Sequence, residues 1–144
     1  MSATVIAIDG PSGSGKSSTA KAIALRANWD YLDTGALYRA VTWVALQKNI
    51  SNPRELVRAC ESAKIIFIGD PEAPLIRVGD EDISEAIRTL RITDQVSIYA
   101  QMPEVREFLL HLQRQMIVHA KNGIVVEGRD IGTVVFPEAD LKIF

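Results

Sequence analysis

The sequence has few of the features that mark secreted, membrane-spanning or nucleic-acid-binding proteins. Its one cysteine, Cys60, excludes an internal disulfide, and we expect it to be a buried small hydrophobic residue. There is no apolar run long enough for a transmembrane span, and the N-terminus lacks the basic and apolar segments of a signal peptide. The net charge of −2 provides no positive field for nucleic acid or anionic membranes. We therefore expect a cytoplasmic protein, a monomer, with neither nucleic-acid nor membrane partners.

Internal repeats and low-complexity segments are also lacking, and the composition is that of a globular domain, with 47% hydrophobic and 24% charged residues in 144. Aromatic residues are only 6%, and acidic residues are interleaved with the arginines of the middle region, which favours contacts with a small anionic substrate over a nucleic-acid surface. Those arginines are Arg77, Arg88, Arg91, Arg106 and Arg114. His111 and His119 lack metal-ligand spacing, so we expect them to be exposed on a helix.

What is present is a glycine-rich loop that matches the pattern G-x-x-x-x-G-K-[ST]. Its residues are Gly10, Pro11, Ser12, Gly13, Ser14, Gly15, Lys16 and Ser17, followed by Ser18. An apolar strand over 4–8 precedes the loop and a helix over 16–27 follows it, which is the arrangement that a phosphate-binding loop requires. In this interpretation Lys16 reaches the β- and γ-phosphates of a nucleotide, and the Ser17 hydroxyl binds Mg²⁺. The alternative is an ordinary turn between strand and helix.

Strands and helices alternate along most of the chain, which predicts an α/β protein with a parallel sheet flanked by helices. The predicted helices cover 16–27, 36–47 (with Asp33 or Thr34 as N-cap), 53–63, 84–100 and 103–120, the last ended by Asn122 and Gly123. The predicted strands cover 4–8, 29–32, 64–68, 75–78, 124–126 and 141–144, of which 64–68 and 75–78 form an antiparallel hairpin. The last strand has no following helix to cover it, so we expect the chain to be a fragment, or the ordered part, of a longer one.

Two further segments have side chains suited to phosphate and metal binding. Arg39 lies near the start of the predicted second helix, where its guanidinium can grip a phosphate or simply be solvated. Glu127, Arg129 and Asp130 follow the strand 124–126, and ligands of parallel α/β sheets bind outside the carboxyl ends of the strands. These residues can hold Mg²⁺-bound water and a phosphate, with Glu127 where a Walker-B aspartate is usual. The alternative is a surface turn with an Arg–Asp pair.

Five segments together resemble the bacterial cytidylate kinase family. They are IAIDGPSGSGKSS, YLDTGALYRAVT, DISEAIRT, VSIYAQMPEVREFLLHLQR and VEGRDIGTVVFPEADLKIF, in this order. The resemblance covers nearly the whole chain and is weakest over 49–74. It implies a P-loop kinase fold and transfer of the ATP γ-phosphoryl group to CMP or dCMP, with Mg²⁺. It also implies a P-loop core at 1–33 and 122–144 and a nucleoside-monophosphate-binding region at 34–121, with an inserted hairpin at about 64–84.

The resemblance also implies roles for individual residues. The loop from Ser12 to Ser18 binds the ATP phosphates, with Lys16 as the charge clamp and Ser17 on Mg²⁺. Residues assigned to the acceptor nucleotide are Thr34, Ser97 and Arg106 near the cytosine and Arg39 and Arg129 on the CMP phosphate. Asp130 is assigned to the Mg²⁺ shell or to substrate positioning.

The chain departs from the family at its end, because family members continue past Phe144 with a lid that bears arginines and a carboxylate. We therefore expect the 144-residue form to be impaired as a kinase. Two alternatives remain open: a P-loop kinase for another monophosphate or a small alcohol, and a non-catalytic nucleotide-binding module. The sequence lacks N-K-x-D, the motif typical of guanine-specific P-loop switches, which argues against a module of that kind.

Overall fold

The computed structural model describes residues 3–11 and 14–144, which form two compact units. The first unit comprises Met1–Gly35, Gly69–Pro74 and Leu112–Phe144, and the second comprises Ala36–Ile68 and Leu75–His111. The helices are α1 (Lys16–Ala27), α2 (Thr34–Lys48), α3 (Pro53–Ala63), α4 (Leu90–Ala100) and α5 (Pro103–Val118). The strands are β1 (Thr4–Asp9), β2 (Asp30–Asp33), β3 (Ile65–Ile68), β4 (Leu75–Val78), β5 (Glu81–Asp82), β6 (Gly123–Gly128) and β7 (Leu141–Ile143).

A four-stranded parallel sheet forms the centre of the first unit, in the order β2-β6-β1-β7. The central strands β1 and β6 are mostly apolar and rich in β-branched residues, and each has an acidic residue at or next to its end, Asp9 and Glu127. Every residue of β6 is buried, as expected for a strand covered on both faces. They pair from Thr4 opposite Gly123 to Asp9 opposite Gly128. Both strands therefore end at the same sheet edge, where the loop after β1 and the segment after β6 begin. The predicted parallel α/β architecture is confirmed.

Helix α1 follows the glycine-rich loop and packs closely in the first unit. Its Ala20 and Ala24 are fully buried and lie one turn apart on the same face of the helix. Because these side chains are small, the helix backbone can lie close to the residues that cover this face. The helix ends at Ala27 and is capped by Asn28, which adopts a left-handed conformation (φ 58°) and donates its backbone N–H to Leu25 O. The bounds predicted for this helix from the sequence are confirmed.

The second unit contains helices and a small antiparallel sheet in the order β3-β4-β5. The predicted hairpin is confirmed, with Ile65 opposite Val78 and Ile68 opposite Leu75. Helix α3 begins after Asn52, whose Oδ1 accepts hydrogen bonds from the backbone N–H groups of Arg54 and Glu55. Most of the core of this unit consists of aliphatic side chains, with buried Tyr99 and Thr42 among them. Cys60 is 1% exposed in this core, as expected.

Two local predictions are wrong. The segment 84–100 is not one helix, because Thr89 is extended and its hydroxyl caps α4 by accepting from Ile92 N, leaving only a short 3₁₀ turn at Ala86–Arg88. Gly123 does not end the preceding helix: α5 ends at Val118, and Gly123 is the first residue of β6, paired with Thr4. The strand β5 was also missed, since two exposed acidic residues give no strand pattern.

Within residues 3–11 and 14–144, no helix has both the length and the apolar character that crossing a membrane requires.

Candidate functional site

The glycine-rich loop joins β1 to α1, and its first residue is tied to the neighbouring strand. Gly10 donates its backbone N–H to the carbonyl of Gly128, at 3.1 Å. Within the loop, Pro11 O accepts from Ser14 Oγ at 2.8 Å and from Lys16 Nζ at 3.2 Å. The lysine ammonium therefore lies beside the Pro11 carbonyl. Ser12 and Gly13, which were predicted to belong to this loop, lie outside the described residues.

Gly15 turns the loop into α1 in a left-handed conformation, φ 81°, that a residue with a side chain adopts only with strain. The first hydrogen bond within the helix runs from Thr19 N to Gly15 O. The backbone N–H groups of Lys16, Ser17 and Ser18 thus precede the first intrahelical donor, and the positive end of the helix dipole lies beside them. Together with the Lys16 ammonium, they make a site suited to an anion.

A buried carboxylate lies beside the start of α1. Glu127, in β6, is 2% exposed, and its Oε1 and Oε2 accept from Ser17 Oγ at 2.6 and 2.8 Å. The Tyr31 hydroxyl donates a second hydrogen bond to Oε1. Because a buried carboxylate is costly unless it is hydrogen-bonded, these hydroxyl groups are what allow Glu127 to lie inside the protein.

Tyr31 faces Glu127 because of the strand register. In β2, Tyr31 pairs with Val125, two residues before Glu127 on β6, so the two side chains project from the same face of the sheet. Tyr31 is 2% exposed, and burial raises the pKa of its hydroxyl strongly, helped by the negative charges of Asp33 and Glu127. The phenol therefore stays protonated at every ordinary pH and remains a hydrogen-bond donor.

The segment after β6 carries Arg129 and Asp130 and continues as a single π-type turn at Ile131–Val135. Asp9, at the end of β1 and 5% exposed, accepts from the backbone N–H groups of Ile131 and Gly132, each at 2.8 Å. Arg129 is exposed and Asp130 is partly exposed. The Asp9 carboxylate thus holds Ile131 and Gly132, which directly follow Asp130, against the end of β1, the strand that leads into the glycine-rich loop.

Thr34, at the start of α2, is 5% exposed, and its hydroxyl donates to the backbone carbonyl of Glu127 at 2.8 Å. A side chain on the adjacent Gly128 would not fit, since a Cβ there would lie 2.5 Å from Thr34 Oγ1. The Thr34 hydroxyl therefore joins the end of β6 to the start of α2, and its lone pairs remain as acceptors.

Arg114 fastens the π-type turn at its other end. Its Nε donates to Val135 O at 2.9 Å and its Nη2 to Val134 O at 3.1 Å. The sequence interpretation favoured a small anionic substrate for the arginines of this region. For Arg114 the structure instead shows backbone carbonyls as the partners.

The other predicted substrate-binding residues belong to the second unit. Arg39 is partly exposed on α2, Ser97 is exposed on α4, and Arg106 is exposed on α5. Arg106 Nη1 donates to Ala100 O at 3.4 Å, which brings its guanidinium to the end of the helix that bears Ser97. His111 and His119 are exposed on or just beyond α5, as expected.

The oxygen donors at the start of α1 fit Mg²⁺. The ion prefers hard oxygen ligands and commonly takes one or two from the protein, completing its shell with water and phosphate oxygens. Ser17 Oγ donates its one proton to Glu127, so its lone pairs are directed away from the carboxylate. Among residues 3–11 and 14–144 there is no group of three or more His, Cys, Asp or Glu side chains that could hold a metal by themselves.

Sequence reasoning missed Asp9 and Tyr31. Asp9 comes immediately before Gly10 and ends an otherwise apolar strand, which is a signal that its carboxylate serves the adjoining loop. Tyr31 is one of the two buried residues of β2, and a buried tyrosine hydroxyl requires a hydrogen-bond partner. The partners of Asp9 are Ile131 and Gly132, and the partner of Tyr31 is Glu127. These pairings could not be identified without the strand order, because the partners are remote in sequence.

The fold and this site define an α/β protein whose glycine-rich loop leads from the first strand into a helix, next to a buried acidic residue at the edge of a parallel sheet. The family model for cytidylate kinase matches residues 6–144. The chain is 52% identical to the cytidylate kinase of Streptomyces griseus over 99% of its own length and 63% of that protein, and 50% identical to that of Streptomyces avermitilis over 99% and 62%. It is 48% identical to that of Lactococcus lactis over 96% and 62%.

The chain therefore belongs to the cytidylate kinase family. It spans somewhat less than two thirds of the length of these curated relatives.

Proposed function

We propose that the protein transfers the γ-phosphoryl group of ATP to CMP or dCMP, giving ADP and the corresponding diphosphate. The observation that carries the proposal is the arrangement at the sheet edge of the first unit: Lys16 and Ser17 open α1 beside buried Glu127. Membership of the cytidylate kinase family supports this choice of acceptor over another monophosphate or a small alcohol.

In the proposed reaction the loop of Gly10, Pro11, Ser12, Gly13, Ser14 and Gly15, with Ser18, binds the ATP phosphates. Lys16 then leaves the Pro11 carbonyl for the β- and γ-phosphates, since a phosphate is a stronger partner for an ammonium than a carbonyl is. Ser17 and Glu127 would hold Mg²⁺ and its water, and the ion supplies charge neutralisation as the γ-phosphoryl group transfers.

An oxygen of the CMP phosphate attacks the γ-phosphorus in line, and the bond to the ADP oxygen breaks. The attacking oxygen is already anionic near neutral pH, so no side chain is needed as general base. Arg129, exposed at the end of β6, grips the acceptor phosphate, and Asp130 contributes to the Mg²⁺ shell or to substrate positioning.

Thr34, Arg39, Ser97 and Arg106 are assigned to the acceptor nucleotide on the family resemblance. The same resemblance assigns 1–33 and 122–144 to a P-loop core and 34–121 to a nucleoside-monophosphate-binding region. We further propose a cytoplasmic monomer with neither nucleic-acid nor membrane partners, which is supported by the net charge of −2 and the one buried cysteine.

The proposal is tested by titrating the chain with ATP and with CMP by calorimetry, and by measuring ADP formation with CMP, dCMP, UMP, AMP and shikimate as acceptors. We expect CMP and dCMP to bind and to be the preferred acceptors. Preference for AMP or shikimate would contradict the proposed acceptor, and ATP binding with no binding of any acceptor would support a nucleotide-binding module instead.

A further inference from the structure

We propose that Tyr31 is a positioning residue for the cation site, which it serves by fixing the carboxylate that holds the Ser17 hydroxyl. The inference rests on the proposed function, because it takes Ser17 to be a ligand of Mg²⁺ bound with a nucleotide. Tyr31 touches neither substrate nor metal in this proposal. It acts through Glu127.

The carboxylate of Glu127 has unequal oxygens. Oε1 accepts from both Tyr31 and Ser17, whereas Oε2 accepts from Ser17 at 2.8 Å. A carboxylate offers about four lone-pair positions, so Oε2 retains capacity for a water molecule of a metal shell. The hydrogen bond from Tyr31 thereby determines that Oε1 is occupied by protein hydroxyl groups and that Oε2 is the oxygen available to a water molecule bound to the cation.

A second hydrogen bond is needed because the carboxylate is otherwise free to turn. The terminal torsion of a glutamate side chain is broad and roughly two-fold, unlike the staggered torsions nearer the backbone. The Ser17 hydroxyl donates to both oxygens of the carboxylate, so by itself it does not favour one rotamer of the carboxylate over the rotamer with the oxygens exchanged. The Tyr31 hydroxyl comes from strand β2 rather than from helix α1, so its hydrogen bond to Oε1 is a second and separately anchored point of attachment.

Helix α1 holds the tyrosine ring as well as the serine. Lys21 follows Ser17 by one helical turn, and its Nζ lies 5.8 Å from the centre of the Tyr31 ring, within the range of a cation–π contact. The same helix face therefore presents Ser17 to the carboxylate and Lys21 to the ring. This second contact, independent of the hydroxyl, restricts the plane in which the Tyr31 ring can lie.

The test compares Tyr31→Phe with the wild-type chain by titrating Mn²⁺ into its complex with ADP and following free Mn²⁺ by electron paramagnetic resonance. Removing a hydrogen bond one step behind a metal ligand set weakens metal affinity by about ten-fold or more, and we expect about ten-fold here. Affinity for ADP in EDTA should change by less than about two-fold, since the hydroxyl does not contact the nucleotide. Tyr99→Phe, at another buried tyrosine, is the matched control and should leave both constants unchanged.

A double-mutant cycle separates positioning from general loosening. In a Glu127→Ala background, Tyr31→Phe should alter Mn²⁺ affinity by less than about two-fold, because the group through which it acts has been removed. Unchanged Mn²⁺ affinity in Tyr31→Phe, or an equal loss in the Glu127→Ala background, would overturn the inference and leave the proposed function standing. Failure of the wild-type chain to bind ADP at all would overturn both.

Discussion

The carboxylate of Asp9 accepts a hydrogen bond from the backbone N–H of Gly132 at 2.8 Å, although the two residues are 123 positions apart. Its other oxygen accepts from Ile131 N at the same distance. Asp9 directly precedes the glycine-rich loop, and Ile131 directly follows Asp130. One buried side chain thus couples the loop proposed to bind ATP phosphates to the segment proposed to meet the acceptor.

Asp9→Asn should therefore affect both stability and acceptor binding. An amide has one acceptor oxygen, so one of the two backbone N–H groups would face an NH₂ group, a buried mismatch that costs about 1–3 kcal/mol. We expect a lower free energy of unfolding in urea and weaker CMP binding by calorimetry. Asp70→Asn, where an exposed aspartate accepts from Glu72 N, is the control and should change stability by less than about 0.5 kcal/mol. Wild-type stability in Asp9→Asn would contradict this role.

The order and type of the main elements were predictable from the sequence because they depend on local patterns. The apolar strand before Gly10, the uninterrupted helix after it and the Asn52–Pro53 helix start each carry a signal in adjacent residues. The short strand β5 was missed because it depends on pairing with β4. The break at Thr89 was missed although its signal is local, since threonine is a common N-cap and its hydroxyl accepts from Ile92 N. Among these, β5 exists only because Arg77 and Val78 offer a partner edge.

The site was predictable in part for the same reason. Lys16, Ser17 and Glu127 stand in or directly after recognisable patterns, so their proximity followed from the rule that parallel strands end at a common edge. The parts contributed by Asp9 and Tyr31 require the strand order β2-β6-β1-β7 and the register between Tyr31 and Val125. Those relationships are non-local and have no counterpart in the spacing of residues along the chain.

Lys16→Ala should lower turnover far more than it lowers affinity for CMP. In the proposed reaction the positive Lys16 ammonium stabilises the negative charge that builds up on the phosphate oxygens during transfer. Loss of such a group typically lowers kcat by about 10²–10³-fold. The measurement is ADP formation at saturating substrates, with CMP binding by calorimetry on the same samples. Lys121→Ala, an exposed lysine just before β6, is the control with unchanged turnover. Equal losses in turnover and CMP affinity would argue against the role given to Lys16.

Gly128→Ala should destabilise the chain because the added Cβ would lie 2.5 Å from Thr34 Oγ1 and 2.7 Å from Ile131 Cδ1. Relieving this overlap displaces the Thr34 hydroxyl from Glu127 O, and overpacking of this kind costs about 1–3 kcal/mol. Urea unfolding measures the loss. Gly35→Ala is the comparison, since its Cβ would meet only the rotatable carboxylate oxygen of Asp33 at 3.2 Å. Equal stabilities of the two variants would contradict the tight packing around Gly128.

Asn52→Ala should cost about 1 kcal/mol, the usual effect of removing an N-cap side chain. The amide oxygen of Asn52 accepts from Arg54 N at 3.0 Å and from Glu55 N at 3.1 Å, and alanine leaves both donors to water. Asn52→Asp retains an acceptor oxygen and should be close to wild type in the free energy of unfolding. Ser51→Ala, at the exposed preceding residue, provides the neutral reference. A loss in Asn52→Asp as large as in Asn52→Ala would show that the cap does not act through its oxygen.

The buried thiol of Cys60 should make stability fall at alkaline pH. Burial, with a smaller contribution from Glu61, raises the pKa of this thiol from its ordinary value of 9.0 to about 12. The folded state therefore keeps the proton while the unfolded chain releases it, so this contribution is complete below pH 9.0 and is lost as the pH rises toward 12, at up to about 1.4 kcal/mol per pH unit. Urea unfolding of the wild-type chain and of Cys60→Ala at about pH 8 and about pH 10.5 isolates the effect, because the other groups titrate alike in both proteins. The wild-type chain should lose more stability between the two pH values than the variant does. Equal losses, or rapid reaction of the native thiol with a thiol reagent at about pH 8, would show that Cys60 ionises as an exposed cysteine does.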